Sequence, residues 1–404
     1  MISQTPSDPL LEDLFQNARS VKGRAADACF ISSAEFASLD VSHEWMIDRT
    51  MVRYEPLVLG GPKKALKTSV VLDLAISLAA GFNTRFLGKF DVSRPYRVGL
   101  ISGESGKPTL KKKALAICKA KGLNLGDLKI HWRFRMPSFS VAEERDAIAE
   151  YVQEKKLEVM IFDPMYLGLF SENSNINAGN VLQMGPLLQK VVDTCLPYNC
   201  TPVLVHHTKK LGQRDSKRPL DLDDMSQSGF AEFARQWILL SRRKDYLDGS
   251  GQHELWMRSG GSAGHSSLWG LDVEEGSFKT GVAGELWNVT VRTPKQVRQQ
   301  NDIEKADVNQ GKENALVNRL VEYLEKTHGG ETKNVIKEEI GCGGTAVNKA
   351  VELALERGLI MKGKIKKGNK YHDCIMIAPT EKEPDPNDPD NPDTPDGQVC
   401  PAVV

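Results

Sequence analysis

From Pro56 onward the chain alternates two kinds of hydrophobic pattern. Short, near-continuous apolar runs at 57–59, 96–102, 128–132, 157–162, 202–205 and 236–241 read as strands buried on both faces. Between them, apolar residues recur at helical spacing over 70–80, 108–121, 141–155 and 178–195. Strand-helix repetition of this kind predicts an α/β fold with a mostly parallel central sheet covered by helices. After a short helical turn at 230–234 and the strand 236–241, the pattern changes. Segments 253–258, 267–273 and 286–292 alternate between Gly-rich turns, which predicts antiparallel strands extending one sheet edge.

The flanks divide the chain further. Residues 1–29 are polar, with one amphipathic piece at 10–18, and are expected to form a flexible N-terminal arm ahead of a domain spanning 30–300. The stretch 301–312 is charged and Gln/Asn-rich and reads as a linker. Over 313–379 the pattern gives helix, helix, turn, helix and a two-stranded hairpin around a basic turn. That order is the winged-helix order, a small α+β domain, with Thr345 expected to cap the third helix. The tail 380–404 is Pro/Asp-rich without apolar periodicity and is expected to be disordered.

Composition adds exclusions rather than a partner. Lys+Arg and Asp+Glu both number 53, so net charge favours no binding class and local charge has to. No run of about 18 apolar residues predicts a membrane span. The first residues lack the basic and apolar regions of a secretory signal, and the seven cysteines include no CxxC pair. Both point to reduced thiols and a cytoplasmic location. Cys195 and Cys200 upstream of His206 and His207 do not read as a zinc site, because the histidines have a better use.

The chemistry begins at Gly60-Gly61-Pro62-Lys63-Lys64-Ala65-Leu66-Lys67-Thr68-Ser69, between a strand and a helix. Gly61 fills the first glycine of G-x-x-x-x-G-K-[ST], and Lys67-Thr68 fill its last two places. Leu66 stands where the second glycine belongs, and Pro62 removes one N–H donor. Phosphates need clustered N–H donors, a cation and a metal ligand. The loop amides and helix N-terminus, the Lys67 ammonium and the Thr68 hydroxyl can supply these. Three further groups directly follow buried strands: Glu104, Asp163, and the pair His206-His207. In a parallel sheet all strand C-termini share one edge, so these groups are expected to converge on Lys67. Glu104 is then placed to orient or deprotonate a water, Asp163 to hold Mg²⁺ with Thr68, and His207 or His206 to donate to a γ-phosphate.

The order Gly60 to Thr68, Ser102-Gly103-Glu104, Phe162-Asp163-Pro164, His206-His207-Thr208-Lys209 resembles RecA-like P-loop ATPases of the RepA type, over roughly residues 30–298. These AAA family ATPases are ring-forming relatives of plasmid and phage replicative helicases. The resemblance implies ATP and Mg²⁺ as ligands and a homo-oligomeric ring such as a hexamer. It also implies an arginine reaching the γ-phosphate from the neighbouring subunit. Arg235 resembles the RepA-type position, Arg242 that of DnaB-like helicases. It further places a central DNA-contacting loop at 209–228, where Lys209, Lys210, Arg214, Lys217 and Arg218 supply positive charge. The basic wing adds Lys364, Lys366 and Lys367 as a duplex contact. The expected function is ATP hydrolysis acting on DNA in replication, recombination or mobile-element maintenance. The alternatives are a slow or non-hydrolysing ATP switch acting as a DNA-bound regulator, and an adaptor with a degenerate loop.

Overall fold

The computed structural model describes residues 31–39, 41–169, 180–212, 215–226, 229–277, 281, 284–327 and 330–379. The N-terminal arm, its amphipathic piece, the tail 380–404 and Arg214 lie outside the described residues. The chain divides into two compact units, 1–297 and 298–404.

The first unit begins with the short helix α1 (Ser33–Ser38) and the small hairpin β1 (Trp45–Ile47) and β2 (Met51–Val52). Then come β3 (Leu57–Gly61), α2 (Lys67–Ala80), a second small hairpin of β4 (Arg85–Phe86) and β5 (Phe90–Asp91), and β6 (Val98–Ser102). They are followed by α3 (Lys107–Lys121), β7 (Ile130–Arg133), α4 (Ala142–Glu154), β8 (Val159–Asp163), the one-turn α5 (Tyr166–Leu169), α6 (Val181–Asp193) and β9 (Thr201–His207). The unit closes with α7 (Phe230–Phe233), β10 (Gln236–Arg242), β11 (Gln252–Gly261), β12 (Ser266–Glu274) and β13 (Asn288–Arg292).

Nine strands form one sheet in the order β13-β12-β11-β10-β3-β9-β8-β6-β7. The six strands from β10 to β7 are parallel, and β11 to β13 add an antiparallel edge. Every residue of β3, β6 and β8 is buried, as near-continuous apolar runs require between two helical layers. One core layer packs α2 and α3 against the sheet, and a second packs α4 to α7 on the other face. Helix α2 is buried at every residue except Thr68, so the helix after the loop is held rigidly and shows the site only its first turn.

Some elements differ from the sequence reading. β9 runs two residues further and takes in both histidines; α2 starts at Lys67; α5 and the two small hairpins are additional. In the second unit, the segment 301–312 expected as a linker is helical, within α8 (Pro294–Thr327). It lacks proline, so no residue in it blocks the helix from continuing through the stretch. α9 (Lys333–Ile340), α10 (Gly344–Glu356) and the hairpin β14 (Ile360–Lys367) and β15 (Lys370–Ile377) follow. Their core joins Leu320, Leu324, Ile336, Val347, Val351 and Ile375. Thr345 does not cap α10: the N-cap is Gly343 and Thr345 lies inside the helix.

Candidate nucleotide site

The two glycines at the end of β3 are required by packing. A Cβ on Gly60 would lie 2.6 Å from Met225 Sδ and 2.7 Å from a Leu239 methyl, and one on Gly61 would lie 2.8 Å from the Leu240 carbonyl. β10 and the segment around Met225 therefore press directly on the strand that delivers the loop. Beyond it, Lys64 and Leu66 have φ of 61° and 57°. Leu66, which occupies the second glycine's place, adopts the left-handed conformation that a glycine there would favour (ψ 21°). A left-handed non-glycine residue costs about 1–2 kcal/mol. The half-buried Leu66 side chain packs against the α2 core layer, which offsets that strain.

Lys67 is the first residue of α2 and only 8% exposed. Its ammonium donates to the carbonyls of Gly61 (2.9 Å) and Pro62 (2.8 Å) and lies 3.1 Å from His207 Nδ1. Burial pulls its pKa down to about 8, against the opposing pull of Asp163 and Glu104. Next to it, the Thr68 hydroxyl donates to the Asp163 carboxylate at the end of β8. Burial pushes Asp163 up to about 6, while Thr68 and Lys67 favour its ionised form. A hydroxyl and a buried carboxylate side by side, beside a cation and a helix N-terminus, suit a hydrated divalent ion bound with a polyphosphate. Glu104, on the loop after β6, is exposed and close enough to act electrostatically on Lys67, Asp163 and His207. The strand ends thus bring Lys67, Thr68, Asp163, Glu104 and His207 to one edge.

His206 is not brought there. Successive side chains in a strand point to opposite faces, so His206 turns into the other core layer. It is 1% exposed, stacked on Phe230 at 3.8 Å and 4°, with Nε2 3.1 Å from the Ser226 carbonyl. The two arginines also separate. Arg242 ends β10 beside the loop of its own chain and donates to the Lys64 carbonyl (3.1 Å). Arg235 precedes β10, is exposed, and lies at the opposite edge of the sheet, a seven-residue strand or about 20 Å away.

The loop after β9 is closed at its base by the Thr208–Met225 bridge and by Ser226 N–H donating to the His207 carbonyl (3.2 Å). Three of its expected cations are engaged within the chain. Lys209 donates to the Asp223 carbonyl (2.9 Å), Lys217 pairs with Asp245 (2.6 Å), and Arg218 grips Asp224 through two 2.7 Å bonds. Lys210 is exposed. In the second unit Lys364 and Lys366 are exposed on one face of the hairpin, while Lys367 pairs with Glu331 (2.9 Å).

Two sets of residues at the site escaped the sequence reading. Tyr166, in the single turn α5, donates its hydroxyl to Glu104 Oε1 at 2.5 Å, and its ring lies 5.8 Å from that of His207. Its only sequence signal is an aromatic three residues beyond a strand-end aspartate. Behind the loop, Ser69 Oγ donates to Glu275 Oε1 (2.7 Å), and Lys113 of α3 reaches both Ser69 (2.6 Å) and Glu275 (3.0 Å). Nothing local marks Glu275, since its partners lie 162 and 206 residues away.

Residues 28–213 match the family model of the AAA domain. No curated protein matches the chain. Among solved structures, a KaiC-like protein from the hyperthermophilic archaeon Pyrococcus horikoshii is similar, with 14% identity and a TM-score of 0.39. The match covers 61% of this chain and 93% of that one. The sheet order gives the first unit a RecA-like α/β fold, and most of that unit is similar to the AAA domain.

Proposed function

We propose that this chain binds ATP with Mg²⁺ at the Gly60–Ser69 loop, hydrolyses it, and couples hydrolysis to DNA in replication, recombination or mobile-element maintenance. The observation that carries the reading is the meeting of Lys67, Thr68, Asp163, Glu104 and His207 at one strand edge. Thr68 and Asp163 would hold Mg²⁺, which neutralises phosphate charge when bound. The loop amides and α2 N-terminus bind the β- and γ-phosphates, and Lys67 neutralises them. Its depressed pKa still leaves it largely charged at neutral pH. Glu104 orients the attacking water and takes its proton as the bond between the γ-phosphorus and the bridging oxygen breaks, releasing ADP and phosphate. His207, already against Lys67, donates to the γ-phosphate and transmits its loss to the loop that starts at Thr208.

The opposite-edge position of Arg235 supports its service to a neighbouring subunit's site in a homo-oligomeric ring with helicase-like action. Arg242 contacts its own loop, which supports a role within its own chain. The helix order and hairpin of the second unit support a winged helix. Because the loop cations are largely engaged, the hairpin face with Lys364 and Lys366 is the stronger DNA candidate.

The test is steady-state ATP hydrolysis with and without single-stranded DNA, together with calorimetric ATP binding, for the wild type and Lys67→Ala. DNA-stimulated hydrolysis that disappears in Lys67→Ala is expected. Binding without turnover favours the regulatory switch, and absence of binding refutes the reading.

A further inference from the structure

Glu104 stands on an exposed loop, where a carboxylate has several rotamers to choose from. Among the described residues, the only hydrogen bond to its carboxylate comes from the Tyr166 hydroxyl. Tyr166 is fixed by construction. Gly103 N–H donates to the Asp163 carbonyl (2.9 Å), joining the ends of β6 and β8, and Met165 N–H donates to the Val205 carbonyl (2.9 Å), joining the start of α5 to β9. Two glycines let α5 sit this close. A Cβ on Gly103 would lie 2.8 Å from Leu167 Cδ1, and one on Gly168 would lie 2.8 Å from the Pro137 carbonyl. The same ring rests against His207, tilted by 44°.

We propose that Tyr166 is a positioning residue for hydrolysis: its hydroxyl orients the Glu104 carboxylate toward water, and its ring ties that carboxylate to His207. This rests on the ATPase reading above. Tyr166 bonds one of these groups and lays its ring beside the other. Its donation to Glu104, followed by partial burial, pushes its own pKa up to about 12, so it remains a proton donor at all working pH values. A carboxylate held at a strand end by a rigid donor needs no reorientation when water arrives, which is where positioning lowers a barrier.

The experiment is a double-mutant cycle of Tyr166→Phe and Glu104→Gln in the full chain, with hydrolysis and ATP binding measured for each. Tyr166→Phe removes one oxygen and keeps the ring. It is expected to lower kcat by about tenfold or more while ATP affinity stays within about twofold. In the Glu104→Gln background the same change is expected to add no loss, because the hydroxyl acts through the carboxylate. A wild-type kcat in Tyr166→Phe, a loss seen only in affinity, or losses that multiply in the double variant overturn the inference and leave the ATPase reading standing. A wild-type chain without Lys67-dependent hydrolysis overturns both.

Discussion

Acidification should destabilise this protein through His206, and the effect can be isolated. The ring is 1% exposed, lies flat on Phe230, and offers Nε2 to the Ser226 carbonyl, while Nδ1 has no partner among the described residues. Burial lowers its pKa from 6.5 to about 3. The folded protein therefore keeps this ring neutral where the unfolded chain protonates it. Between pH 6.5 and about 3 the unfolded state binds the extra proton, so stability is intact above pH 6.5 and falls as the pH drops through that window. One proton gives at most about 1.4 kcal/mol per pH unit, so the descent from pH 6.5 to about pH 5 should cost roughly 1.5–2 kcal/mol. His206→Gln replaces the ring by an amide that can still donate to Ser226 but does not titrate. Urea unfolding of the wild type and His206→Gln at the two pH values measures the difference. The variant is expected to be less stable than the wild type at pH 6.5, through lost stacking, yet to lose about 1.5–2 kcal/mol less on acidification. Equal acid losses in the two proteins would refute the assignment, because the other histidines are common to both.

Two further predictions concern the frame of the site. At position 66, glycine and alanine both remove the leucine side chain and differ mainly in tolerance of φ 57°. Leu66→Gly should therefore melt higher than Leu66→Ala by an amount equivalent to about 1 kcal/mol, a few degrees in a domain of this size. Equal melting would mean that the left-handed backbone is not strained. Gln236 is fully buried at the start of β10, accepting from Val52 N–H (2.7 Å) and donating to the Val52 and Glu55 carbonyls (2.7 Å each). Gln236→Ala removes the partner of three backbone groups, the two of Val52 buried and that of Glu55 partly buried, and should cost about 2 kcal/mol or more in urea unfolding; a loss under about 1 kcal/mol would show that these groups find other partners.

What the sequence by itself determined is the set of elements and one edge of the molecule. The near-continuous apolar runs specify two-faced burial, and so a mostly parallel sheet. A parallel sheet in turn collects the loop at Gly60, Glu104, Asp163 and one of the two histidines at its C-terminal edge, so their convergence was an expectation available before any coordinate. The left-handed turn at Leu66 was not, because residue type there argued against it and only packing of the side chain makes it acceptable. Strand pleat and length decided between His206 and His207. β9 continues through both, and a period of two sends one to Lys67 and the other to Phe230. Position along β10 separated Arg235 from Arg242 by the length of the strand. The hold of Tyr166 on Glu104, and of Glu275 on Ser69 and Lys113, joins groups 62 to 206 residues apart. Local pattern encodes which face an element buries. Which side chains then touch depends on contacts between distant segments, and those exist only once the sheet has closed.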